Sequence, residues 1–297
     1  MSTREEIAAA AQLACLLEVS APKPGNVSPG IAFRDTRYED FLASAAAIAP
    51  AFLNADTQSV GETILRAIRD TRRWTSANTN LGIVLLLAPL ARAASMPHPK
   101  SLRDRVRIVL AGTTIADATA AYRAIRLARP GGLGDVASQD VASEPTITLT
   151  AVMQLAADRD GVAREYATAF ARTFTVGTPA LEQALSDGLD WPHAVVDCYL
   201  ALLADAPDTL IARKLGPNAA AVVTARAGQV RADGGMRTET GRRAVALFDL
   251  ELRNDENSAN PGTTADTTAA AIFVVLLSGN WNSRSMSARS GTGGLER

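Results

Sequence analysis

Leu81-Gly82-Ile83-Val84-Leu85-Leu86-Leu87-Ala88-Pro89-Leu90 is the most apolar run of the chain, and its length decides what it is. A membrane-crossing helix needs about 20 such residues, so this run is too short to span a bilayer. Hydrophobic on all sides, it reads as a buried core helix. Such a helix must be covered, and the flanking sequence supplies more helices. Residues 4–18 repeat apolar side chains at Ile7, Ala10, Ala14 and Leu17, one face of a 3.6-residue period. Phe41, Ala45, Ile48 and Phe52 do the same over 39–53. Ser59 with Glu62, and Ser101 with Asp104, form capping-box patterns ahead of Ile64/Ile68 and Val106/Leu110. Further helices are expected over 113–128, 146–158, 161–173, 191–204, 208–214, 218–228, 237–253 and 263–278. No stretch alternates with period two, so an all-α fold is expected, a single compact multi-helix domain over residues 1–278. The Ser-, Gly- and Arg-rich residues 279–297 read as a disordered tail.

Composition points the same way. Apolar residues make up 47% of the chain and charged residues 21%, which excludes a mainly disordered protein. Abundant alanine and only 5% aromatics suit helices that approach closely. Thirty basic and 31 acidic residues leave a net charge of -1, with no global footprint for nucleic acid or an anionic membrane. The start carries Glu5 and Glu6 and no signal-peptide apolar region, so the cytoplasm is the expected location. Cys15 and Cys198 lie in apolar helical patterns and read as buried thiols without metal-type spacing. His98 and His193 have no Ser or Cys nearby to form a hydrolase triad.

The polar loops between helices carry the chemistry. In Pro22-Lys23-Pro24-Gly25-Asn26-Val27 two prolines stiffen the chain around a lysine, and Gly25 permits a positive φ or a close ligand. That suits a phosphate, or it is a helix–helix turn with a solvated lysine. Asp35, Glu39 and Asp40 follow; the latter two also suit a helix start, so Asp35 is the better candidate for Mg²⁺ beside phosphates. Asn78, Thr79 and Asn80 enter the apolar helix and either contact an anion at its positive end or simply cap it. The segment 130–145 is long and poor in period, the usual mark of a functional loop. Its Pro130-Gly131-Gly132-Leu133-Gly134-Asp135 resembles a phosphate loop only weakly, lacking a strand before it, and Asp140 is a second carboxylate candidate. Asp158-Arg159-Asp160 reads as a helix-end charge cluster. Arg213 and Lys214 either favour a helix C-terminus behind Asp208 or face a triphosphate. Asp266 either closes a capping box with Thr263 or belongs to the site.

Taken in order, Pro22–Gly25, Asp35, Phe41–Ser44, Asn78–Gly82, Asp208–Gly216 and Pro261–Asp266 resemble the triphosphoribosyl-dephospho-CoA synthases, across about residues 5–278. The resemblance implies an all-helical, ATP- and Mg²⁺-dependent transferase. It would move the triphosphoribosyl group of ATP to a hydroxyl of 3′-dephospho-CoA or a related small-molecule acceptor, releasing adenine. It makes Asp35 and Asp140 the catalytic candidates and Asp35 and Asp266 the metal candidates. Lys23, Gly25, Asn26, Asn78, Thr79, Asn80, Arg213 and Lys214 become the substrate-binding candidates. A homo-oligomer is compatible with it. Departures from the pattern mark a divergent branch. Asn26 stands where the family generally has leucine. Gly30-Ile31-Ala32-Phe33-Arg34-Asp35 replaces Gly-Ala-His-x-Asp-Met, and Asn78-Thr79-Asn80-Leu81-Gly82 replaces Asn-Thr-His-Lys-Gly. Arg213-Lys214-Leu215-Gly216 replaces Arg-Gly-Gly, and 130–145 lacks the usual Gly-rich Arg-containing segment. The alternatives are a transfer step in tetrahydromethanopterin-linked one-carbon cofactor synthesis and a non-catalytic nucleotide-binding protein.

Overall fold

A computed structural model describes residues 2–97, 99–131, 138–254 and 256–279. His98, most of the glycine-rich 130–135 stretch and nearly all of the expected tail lie outside the described residues. Those residues form fifteen α-helices and one π-helical turn, with only an isolated bridge between Ser28 and Ile31 and no strand. The all-α expectation holds.

Two helices organise the core. In α5 (Leu81–Ala94) every residue except Gly82 and Arg92 is buried, as the apolar run required. In α15 (Gly262–Leu277) residues Thr267 to Val275 are buried without interruption. The two pack on each other, and α15 also touches α1 (Arg4–Ser20), α11 (Trp191–Asp205), α9 (Gly161–Ala167) and α12 (Thr209–Leu215). On the periphery α4 (Val60–Thr71) lies along α7 (Ile115–Ala128), and α14 (Glu239–Leu252) packs on α13 (Pro217–Ala232). No described helix is long and apolar enough to cross a membrane.

Pro89 sits inside α5, where it cannot donate to the carbonyl of Leu85 one turn earlier. The buried hydroxyl of Tyr166 on α9 donates to that carbonyl instead, at 2.7 Å. Burial pushes the Tyr166 hydroxyl's pKa up, so it stays a neutral donor. The proline costs the helix no unsatisfied group.

Two expected helices are broken. The 39–53 helix splits at Ile48 into α2 (Tyr38–Ala47) and α3 (Ala49–Phe52), with Pro50 in the first turn of α3. The 161–173 helix stops at Ala167, where Ala169 and Phe170 take φ values of 49° and 58°. The buried carboxylate of Glu165 causes the redirection by accepting hydrogen bonds from Arg172 N, Thr173 N and the Thr173 hydroxyl. A π turn over Thr173–Gly177 then leads into α10 (Thr178–Ser186), a helix no periodicity announced. The box pairing Ser59 with Glu62 is present. One pairing Thr263 with Asp266 is not, because α15 begins at Gly262 behind Pro261 and already contains Thr263.

Candidate active site

A cavity of about 950 Å³ opens where the polar loops converge. Its wall is built from the 26–36 loop, the entry to α5, the C-terminal end of α7, part of the 138–142 segment, α8 (Leu149–Ala156), α12 and the start of α15. Phe33, Phe41, Ile125, Val152, Met153 and Leu155 give it an apolar side. Arg129, Arg159 and Lys214, all exposed, line it, and so does the buried Glu18.

Helix starts fix the geometry. Asp208, buried, caps α12 through Oδ1, which accepts from Leu210 N at 2.8 Å and Ile211 N at 3.2 Å. Its Oδ2 accepts from Thr264 N at 2.7 Å and the Thr264 hydroxyl at 2.8 Å, tying α12 to α15. Thr209 extends the junction, accepting from Gly161 N of α9 at 2.9 Å and bonding the Thr263 hydroxyl at 3.1 Å. Asp208 is therefore a clamp that places Arg213 and Lys214 of one helix and Asp266 of another on the same cavity.

The α5 entry is held equally firmly. Thr75 donates to Asp40 Oδ1 at 2.8 Å, Thr79 bonds Ser44, and Asn80 Nδ2 donates to Thr71 at 3.0 Å. Asn78 accepts from Leu81 N at 3.4 Å, a weak cap. Capping and loop anchoring account for most of what these side chains do, yet Asn78, Thr79 and Asn80 all face the cavity. Asp40 also accepts from Arg37 N, which leaves Asp35 as the exposed carboxylate of that loop.

The Pro22–Val27 loop differs most from its sequence reading. Lys23 is not a presented ammonium: its side chain is 0% exposed, and Nζ pairs with Glu18 Oε1 at 2.9 Å and bonds the Glu18 carbonyl. Gly25, at φ 75°, gives its N–H to Asp249 Oδ1 at 2.8 Å, and Arg253 ties Asp249 to the Asn26 carbonyl. Neither Lys23 nor Gly25 reaches the cavity wall; Asn26 does, braced by the Tyr199 hydroxyl at 3.1 Å. Lys23→Ala should accordingly act on stability. It strands a buried carboxylate, at a cost of about 3–5 kcal/mol. The urea midpoint should fall, and adding Glu18→Ala should recover part of the loss.

Glu18, Asp160 and Asp266 share the cavity wall. Asp266, on α15, lies against Gly82 so closely that any Cβ at position 82 would collide with its carboxylate. Its pKa is pushed well up by burial, then by the negative charges of Glu18, Asp208 and Asp160, with Arg213 opposing. Asp160 caps α9 and pairs with Arg213 at 2.6 Å. Among the described residues no group of three or more His, Cys, Asp or Glu side chains is placed to hold a metal. Mg²⁺ asks for less, since it takes one or two carboxylates and fills its shell with water and phosphate oxygens. Asp35 and Asp266 each offer one such carboxylate on the cavity wall. Asp35, bonded by Thr36 at 3.2 Å, stands at the exposed rim. Asp140 accepts from Ala142 N at 2.7 Å and lies close enough to Tyr122 to help burial raise that hydroxyl's pKa.

The cavity thus gathers Asp35, Asp140, Asp266, Asn26, Asn78, Thr79, Asn80, Arg213 and Lys214, and leaves out Lys23 and Gly25. It also recruits Glu18, Arg129, Arg159 and Asp160, none of which the sequence reading placed in a site. The Asp158–Asp160 cluster does cap a helix, but Arg159 and Asp160 face the cavity as well.

A family described as ATP:dephospho-CoA triphosphoribosyl transferase matches residues 4–285. A protein of Azotobacter vinelandii named as a 2-(5''-triphosphoribosyl)-3'-dephosphocoenzyme-A synthase is 28% identical over 273 residues, 86% of each chain. One of Pseudomonas putida with the same name is 36% identical over 115 residues, 38% of this chain and 40% of that relative's length. A crystal structure from Archaeoglobus fulgidus, named as a triphosphoribosyl-dephospho-CoA synthase, shares 31% identity at a TM-score of 0.62. It covers 80% of this chain and 99% of its own.

Proposed function

This chain belongs to the ATP:dephospho-CoA triphosphoribosyl transferase family, and we propose that it moves the triphosphoribosyl group of ATP to a hydroxyl of 3′-dephospho-CoA or a related acceptor. The supporting observation is that one cavity gathers both kinds of charge: exposed Arg129, Arg159 and Lys214 share it with Glu18, Asp160 and Asp266. Arg129, Arg159 and Lys214 suit a triphosphate, and Arg213 reaches the same space. The carboxylates suit the ribose, where positive character develops at the anomeric carbon as the bond to adenine breaks. The acceptor oxygen forms the new bond to that carbon. Its proton leaves through a carboxylate, and the departing adenine gains one, so the proton count balances. We assign that proton handling to Asp266, with Asp35 and Asp140 facing the entering acceptor. Mg²⁺, when bound, would neutralise triphosphate charge, held by Asp35 at the exposed rim.

A second acceptor is favoured by one feature. Asn80 and Leu81, which replace the family's His-Lys, are buried on the cavity wall. A wall without that ammonium suits an acceptor carrying less negative charge than dephospho-CoA, as in the tetrahydromethanopterin-linked branch.

Purified protein incubated with ATP, Mg²⁺ and dephospho-CoA should release adenine and yield a product heavier by the triphosphoribosyl mass. Arg159→Ala should raise the KM for ATP roughly tenfold, the value of one charge-assisted contact. Absence of both adenine release and Mg²⁺-dependent ATP binding, across a panel of hydroxyl acceptors, would overturn the proposal.

A further inference from the structure

From residue 138 to the start of α8 the chain has no helix, yet Ser138 to Ala142 form part of the cavity wall. Two side chains of α7, one turn apart on the same face, hold that stretch in place. The Tyr122 hydroxyl donates to Gln139 O, and Arg126 Nη1 donates to Val141 O at 2.6 Å. Arg126 Nη2 also pairs with Glu144 at 3.2 Å. The stretch closes on itself as well. Gln139 Nε2 donates to the Thr146 hydroxyl at 2.9 Å, and Thr146 N donates back to Gln139 Oε1 at 3.0 Å. Inside that ring Asp140 Oδ1 accepts from Ala142 N at 2.7 Å and Asp140 O accepts from Ser143 N at 3.0 Å.

The grip falls on the bond that decides where Asp140 points. Gln139 has a φ of 56°, a left-handed conformation that a residue with a side chain keeps only where surrounding contacts impose it. The carbonyl that Tyr122 takes belongs to the peptide joining Gln139 to Asp140, so the hydroxyl fixes the plane from which Asp140 leaves. The donor itself cannot wander: Tyr122 is buried in the same wall. Burial, then the charge of Asp140, raises its pKa, so the hydroxyl keeps its proton and goes on donating.

We propose that Tyr122 is a positioning residue for Asp140. Its hydroxyl holds the Gln139–Asp140 peptide so that the carboxylate faces the entering acceptor, and Arg126 secures the far side of the same turn. This rests on the proposed function in one respect, the role given there to Asp140. Because the action is indirect, whatever Tyr122 contributes to turnover passes through that carboxylate.

The test measures adenine release by the full chain with Mg²⁺, ATP and 3′-dephospho-CoA for wild type, Tyr122→Phe, Asp140→Asn and the double variant. Phenylalanine keeps the ring and its packing and removes only the donor. Tyr122→Phe should leave the melting temperature and the KM for ATP unchanged and lower kcat/KM for dephospho-CoA roughly fivefold, the value of one hydrogen bond. Added to Asp140→Asn it should have no further effect, since residues that act as one unit are not additive. Hydrogen exchange at the Ala142 and Ser143 amides, read without turnover, should quicken in Tyr122→Phe. Arg126→Ala cuts the other tie and should show the same dependence on Asp140, which decides the matter should Tyr122→Phe fail to fold. Wild-type kcat/KM in Tyr122→Phe, or its full loss repeated on top of Asp140→Asn, overturns the inference and leaves the proposed function standing. An equal rise in KM for ATP and dephospho-CoA would make Tyr122 a support of the whole cavity and also overturns it. Unchanged exchange at the two amides overturns it with or without turnover. A wild type that releases no adenine overturns the proposed function and takes this inference with it.

Discussion

Asp266→Asn should lower adenine release by about 10²- to 10⁴-fold, the usual contribution of a positioned acid or base, while raising the melting temperature at neutral pH. The two effects oppose each other because the residue is arranged for chemistry at the expense of stability. Burial and the charges of Glu18, Asp208 and Asp160 push the Asp266 carboxyl well above its ordinary range. A raised pKa means that the folded protein holds the proton more tightly than the unfolded chain, whose aspartates titrate near about 3.9. As pH rises through the interval between those two values, folding must take up a proton that the unfolded chain has already lost, and stability falls. The penalty is complete above the folded-state pKa and absent below the unfolded one. Asparagine keeps the shape without the charge, so its advantage in melting temperature should grow as the pH rises from about 4 toward 8. A melting-temperature difference that is independent of pH, or a variant that loses stability at pH 8, would show that Asp266 is not under this repulsion. Retained activity would remove it from the chemistry.

What the sequence made legible was whatever its local pattern encodes. The Leu81–Leu90 run is buried because it is apolar on every face, and α1, α4 and α7 follow from period and cap. Elements decided by distant partners were not legible. The halt after Ala167 depends on Glu165 taking the amides of Arg172 and Thr173, and α10 starts at Thr178-Pro179. The same division runs through the site. The loops that form the cavity could be named in order, because each is a polar interruption between helices. Which way their side chains turn could not. Lys23 looks presented by its flanking prolines, yet Glu18 in the last turn of α1 is near enough in sequence to fold back onto it. Arg159 looked like surface charge because its meeting with α12 and α15 depends on how three helix starts are bolted together.

That junction predicts a structural effect that reaches the site. Asp208→Ala should destabilise the protein by about 2–4 kcal/mol, reflecting orphaned buried donors at 1–3 kcal/mol each, less the relief of removing a buried charge. The donors are Leu210 N and Ile211 N on one oxygen and Thr264 N with its hydroxyl on the other. The relief is real, since burial outweighs those hydrogen bonds and raises the pKa of Asp208. Asparagine separates the two halves of the clamp. Its oxygen can still cap α12, but its NH₂ then faces Thr264 N, donor against donor, so Asp208→Asn should lose only the tie to α15, about 1–2 kcal/mol. The consequence for the site differs from that of Asp266→Asn. Freed from Asp208, α12 no longer holds Arg213 and Lys214 in register with the carboxylate on α15, so ATP binding and turnover should fall together at temperatures where the variant remains folded. Urea midpoints read the first effect and calorimetric ATP affinity the second. A variant as stable as wild type, or one destabilised but binding ATP with wild-type affinity, would show that the junction does not set the cavity's geometry.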